Sequence, residues 1–316
     1  MKINYLEIIK KAAVIVWRNK FLWWFGFFVL ISATSGSFFQ YSPREQVIEK
    51  QKIFEFIAAH REWIIFGGLA ALAVWIILLI VGITGKGALI KSINNIVEKK
   101  ESSFKIGWKE GKKYFWKIFL IGFLAGIFIL ALLIMFIIPI GFLFFNKAYL
   151  LGGILSFLAI IIFIPVVFLV SFIRIYGYLY AVLGDLSLRD SLENAYALLQ
   201  KNITPSILLS LVFLIVGALV TLAAIVVIIP LVIIFLIIGA LLFLLAKQIG
   251  IIITAAMALF FILIFMFLGG SAYQAFTHAV LVLFFREIAT PKVEEKAEEP
   301  VKEISPSHAP DPIIGS

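Results

Sequence analysis

Long apolar stretches alternate with short polar breaks along the chain as far as residue 286, where the pattern stops. Runs such as 118–145 and 207–246 are long enough to cross a hydrocarbon core of ~30 Å, which takes about 20 helical residues. Setting apolar runs against polar breaks predicts spans near 21–39, 63–83, 118–140, 150–173, 206–229 and 251–272. The run 207–246 is twice a span in length and has Pro230 at its middle. It is therefore one span with a bent or re-entrant extension, or two spans. Pro139 and Pro165 raise the same question in milder form.

A different period marks the segments ahead of the first, third and fifth spans. Tyr5, Ile9, Ala12 and Val16 share their spacing with Phe104, Trp108, Gly111 and Phe115, and with Leu188, Leu192, Ala195 and Leu199. Each set lies on one helix face. The residue before each set, Asn4, Ser103 or Ser187, is an N-cap former whose side-chain oxygen accepts from a first-turn amide. Glu7 and Asp190 suit the positive end of a helix, whereas Ile106 stands where an acidic residue would complete the middle capping box. A cation follows two residues beyond each set: Arg18, Lys117 and Lys201. The reading is three copies of one unit at 4–85, 103–183 and 187–286, each a capped interfacial helix, a basic anchor and a pair of spans. One further interfacial helix is expected at 89–97. There Leu89, Ile90, Ile93, Ile96 and Val97 form a stripe, and Lys91, Asn94, Asn95, Glu98, Lys99 and Lys100 face away.

Composition agrees with lipid as the solvent: 63% of the 316 residues are hydrophobic and 14% charged, with a mean hydropathy of +1.12. A soluble domain is closer to half apolar. The expected class is an all-α, polytopic transmembrane bundle of about six spans arranged as three hairpins. The net charge of +9 comes from basic residues beside the apolar runs, so no nucleic-acid partner is expected. By the positive-inside rule those residues place both termini in the cytoplasm of a multi-pass cell-membrane protein. Phe21–Ile31 followed by small residues resembles a signal peptide, but the amphipathic segment ahead of it argues for a retained span. Residues 287–316, rich in Glu, Lys and Pro, read as a disordered acidic tail.

Little chemistry is visible. There is no cysteine, which removes thiolate catalysis and Cys-based metal sites. His60, His278 and His308 are too scattered for a metal cluster. No phosphate-binding glycine loop or Gly-x-Ser-x-Gly elbow occurs. No catalytic residue, metal or cofactor is assigned. Two sets of polar residues are candidates. Arg174, Tyr178, Gln274 and His278 close the fourth and sixth spans and either line a shallow polar cavity or belong to the snorkelling and aromatic belt at the interface. That belt would include Trp23, Trp24, Trp63, Trp108 and Trp116. Lys91, Lys99, Lys100, Lys105, Lys109, Lys112 and Lys113 either contact anionic headgroups of the inner leaflet or only fix topology. Gly269-Gly270-Ser271-Ala272 suits close helix contact.

The segments from Trp17 to Gly26 (WRNKFLWWFG) and from Ser187 to Lys201 (SLRDSLENAYALLQK) resemble uncharacterised bacterial integral membrane proteins. Those are similar to the membrane-anchor domain of glycerophosphoryl diester phosphodiesterases. The resemblance, over about residues 1–286, implies a multi-span bundle with interfacial helices. It transfers no catalytic residue, because the barrel domain that does the chemistry in such enzymes has no counterpart in this chain. The functional expectation is a non-enzymatic protein that organises the bilayer or binds a protein partner. The alternative is a transporter or channel for a lipid or small apolar solute.

Overall fold

The computed structural model describes residues 3–34 and 59–289, and every regular element among them is a helix. In chain order these are α1 (Tyr5–Arg18), α2 (Phe21–Thr34), α3 (Arg61–Val97), α4 (Phe104–Lys113), α5 (Phe115–Phe145), α6 (Tyr149–Leu183), α7 (Leu188–Lys201) and α8 (Ile203–Ala289). Four of the described helices, α3, α5, α6 and α8, are long and apolar enough to cross a membrane; the bent α1–α2 pair is a fifth candidate. The expected span 21–39 extends beyond the described residues, as does the tail from residue 290.

The three short helices stand where the capping pattern put them. Asn4, Ser103 and Ser187 each accept a hydrogen bond from the amide three residues on, at Glu7, Ile106 and Asp190. Equivalent positions are buried: Ile8 and Ala12 in α1, Gly107 and Gly111 in α4, Ser191 and Ala195 in α7. The buried face is centred one residue ahead of the expected stripe, so Ile9 is only half-buried. α1 and α7 both end at an Asn, and the amides of Asn19 and Asn202 donate to the carbonyls of Ile15 and Leu198. α4 ends a turn earlier, at Tyr114, whose buried ring lies beneath the ammonium groups of Lys113 and Lys117.

Each short helix packs on the end of a long helix, and the pattern closes on itself. α4 lies on α3, α7 on α6, and α1, from the start of the chain, on α8 from its end. Gly111 permits the first contact, since a Cβ there would collide with the carbonyl of Thr84 and with Ala88. α1 turns 105° from α2 and is held to α8 by Tyr5, whose hydroxyl donates to the Pro205 carbonyl at 3.1 Å and whose ring stacks on Phe284. Gly26 of α2 meets the backbone of Ser271 as closely as the small-residue patch 269–272 allows.

The long helices form antiparallel pairs. α5 and α6 join through a turn at Asn146 to Ala148, with Lys147 at φ 61°. α8 is itself a hairpin of two arms, 203–245 and 248–289, which reverse where Ala246 and Lys247 leave the helical region. Pro230 lies inside the first arm without breaking it, and Pro139 and Pro165 are likewise accommodated. The run 207–246 therefore has its break at its far end, not at Pro230.

The packed core sits at one end of the molecule. It gathers α1, α4 and α7 with the adjoining ends of the long helices, around Ala12, Phe25, Ile93, Ile121, Tyr176, Ala195 and Phe284. Beyond it the hairpins expose almost every large apolar side chain, among them Trp63, Phe145, Leu150 and Leu245. The separate surface helix expected at 89–97 is instead the last part of α3. No breaker separates it from the preceding span, and Leu89, Ile90 and Ile93 are buried in the core. Asn94, expected to face away, is buried too and accepts from Arg286 at 2.7 Å.

Candidate functional site

The helix ends that enter the core carry polar side chains at matched depth. Lys86 lies eleven residues before the end of α3, Arg174 nine before the end of α6, and His278 eleven before the end of α8. At a rise of about 1.5 Å per residue all three sit roughly 14–17 Å inside the packed end. The helices converge: α3 contacts both α6 and α8, and α6 contacts α8. Lys86 is within electrostatic reach of Arg174 and of His278, and Tyr178 is within reach of Arg174. The Lys86 ammonium stands 5.0 Å from the centre of the Tyr178 ring. Tyr178 is one turn beyond Arg174 on the same face of α6, and its hydroxyl lies against Gly122 of α5, where the missing side chain leaves room.

Three members of the expected polar set, Arg174, Tyr178 and His278, are therefore drawn together around Lys86, a residue outside both candidate sets read from the sequence. The half-buried Gln274 takes part through its carbonyl, 3.0 Å from His278 Nδ1. Among the described residues neither Lys86 nor Arg174 forms a salt bridge. The available signal was the lysine in Gly85-Lys86-Gly87, where small neighbours let other helices approach.

Arg174 also borders an apolar groove of about 230 Å³ between α5, α6 and α7, lined by Leu124, Ala125, Phe128, Val170 and Leu192. A groove of about 310 Å³ runs beneath Trp17 and Trp23, between α1 and both arms of α8. A third, of about 480 Å³, separates those arms toward their turn; Thr254 is its one polar side chain.

The basic residues of 91–113 gather at the packed end but do not act alike. Lys99, Lys105, Lys109 and Lys112 are exposed, and Lys91 is half-buried. Lys100 pairs with Glu98 at 2.6 Å and Lys113 with Asp185 at 3.0 Å. Lys117 also binds Asp185, at 2.8 Å through the carboxylate and 3.2 Å through the carbonyl. These contacts hold both acids at about 2, Glu98 chiefly through Lys100 and Asp185 chiefly through Lys117. Trp108, one of the tryptophans expected in the interfacial belt, stacks with Phe25 and Phe104.

No family model, curated protein or solved structure matches the chain. Function is therefore read from the chain's own residues.

Proposed function

We infer that the chain is a non-enzymatic membrane protein of six spans, arranged as three hairpins, that organises the inner leaflet of the cell membrane. The observation that carries this reading is the division of the molecule into a packed, lysine-rich end and hairpins whose apolar side chains face outward. Outside lipid such hairpins would leave far more contiguous apolar surface exposed than a soluble monomer tolerates. Cations at the packed end suit the anionic cytoplasmic leaflet. On this reading both termini are cytoplasmic, the hairpin turns at Lys147 and Lys247 lie outside, and α1, α4 and α7 open three copies of one unit. The resemblance to membrane-anchor domains fits such a role.

Transport of a lipid or small apolar solute is the competing function, favoured by the convergence of the cations Lys86 and Arg174, with His278 nearby, at the head of a groove. Reconstitution into liposomes separates the two. An organising protein leaves lipid exchange between leaflets, and solute flux, at the rate of protein-free vesicles. Exchange faster than that control would overturn the proposal in favour of transport.

A further inference from the structure

The convergence of Lys86 and Arg174, with the His278 imidazole in reach of Lys86, places two cations together on helices otherwise dominated by apolar residues. Bringing like charges out of water is costly unless an anion or a dense set of acceptors compensates. The Tyr178 ring offers Lys86 only part of that compensation, since a cation–π contact contributes about 0.5–2 kcal/mol. No carboxylate among the described residues pairs with Lys86 or Arg174. The site thus has the composition of an anion receptor.

Depth and shape select among anions. From Arg174 to the start of α6 is 25 residues, and from Lys86 to the start of α3 is also 25. At 1.5 Å per residue this is about 37 Å, slightly more than a hydrocarbon core of ~30 Å. With the turns at the far surface, the cations stand at the near boundary, where lipid phosphates lie. From Arg174 the apolar groove leads toward Phe128 and Val170, deeper along the hairpin. A cationic head above an apolar channel matches a molecule that is anionic at one end and aliphatic along its length.

We propose that Lys86, Arg174 and Tyr178 hold the phosphate of a phosphomonoester lipid from the inner leaflet, one acyl chain of which occupies the groove between α5 and α6. Arg174 supplies the planar donor pair suited to phosphate oxygens. Lys86 adds a point charge and three donors, and the Tyr178 hydroxyl a neutral donor. Ala125, small and half-buried in the groove wall, leaves room for the chain.

The proposal rests on the membrane-spanning reading, and the two fail differently. A chain stripped from membranes by alkaline carbonate would defeat that reading, whereas an embedded chain without lipid selectivity would defeat only the site. The test uses the full chain in phosphatidylcholine nanodiscs doped with phosphatidic acid, with retained lipid counted by native mass spectrometry. Wild type is expected to retain phosphatidic acid over phosphatidylcholine. K86Q/R174Q should lose at least about tenfold in that preference. A125W, which fills the groove and keeps both charges, should lose it too, while K105Q/K109Q/K112Q should keep it. Unchanged retention in both K86Q/R174Q and A125W, or loss confined to the surface-lysine variant, would overturn the site. Competition by inorganic phosphate as strong as that of the lipid, with A125W unaffected, would reduce it to a small-anion site and overturn the lipid assignment.

Discussion

Asp185 illustrates what a single residue does at the packed end. It occupies the left-handed region at φ 49° in the turn after α6, where Asp and Asn are better tolerated than most side chains. From there its carboxylate reaches Lys113 and Lys117, tying the α4–α5 junction to the α6–α7 turn. Both pairs are exposed to solvent, so their contribution is small. Because its folded-state pKa of about 2 lies below the unfolded Asp value of about 3.9, the contribution is full above pH ~4 and is lost as pH falls toward 2. Glu98, held down by Lys100, Asn94 and Arg286, behaves in the same direction. Asp185→Asn, which keeps the turn geometry, should lower the melting temperature by a few degrees at pH 7 in low salt and by less in high salt. Equal melting of variant and wild type at low salt would remove the clasp from the account. Sequence reasoning assigned Lys117 to membrane anchoring, because a partner 68 positions away leaves no local trace. Lys86 was missed as a site residue although its flanking glycines marked a close helix approach, because the groups around it are contributed by α6 and α8.

At the scale of elements, local signals were legible. Caps, helix faces and terminal cations placed α1, α4 and α7 before their contacts were known, since a cap is satisfied within one turn. The early end of α4 and the fusion of 89–97 into α3 were not legible. Both depend on neighbours: Tyr114 is buried between lysines, and Leu89, Ile90 and Ile93 are buried in the core. An apolar stripe looks alike whether it meets lipid or protein. The α3–α4 contact depends on backbone approach at Gly111, so Gly111→Val should separate the two helices and destabilise the core by about 1–3 kcal/mol. Thermal unfolding followed by Trp108 fluorescence reads this out. A melting temperature unchanged by the substitution would show that the close approach is not needed.

At the scale of the whole molecule, hydrophobic run lengths gave the class and most helix positions, because lipid imposes the same length on every crossing. They did not give the closure in which α1 returns to α8, nor the convergence of α3, α6 and α8 on one cationic site, since hydropathy carries no record of which helices touch. The continuity of α8 through Pro230, with its turn at Ala246 and Lys247, was one of the alternatives that run length left open. The central claim is that three hairpins cross the membrane from a single packed end. The chain's lack of cysteine makes it testable without background mutations. Single cysteines at Lys147, Lys247, Lys105 and Ser307 are to be labelled in intact cells with a membrane-impermeant maleimide, then again after permeabilisation. The account predicts labelling of the first two sites from outside, and of Lys105 and Ser307 only once the membrane is opened. Opposite sidedness of Lys147 and Lys247, or external labelling of Ser307, would contradict it.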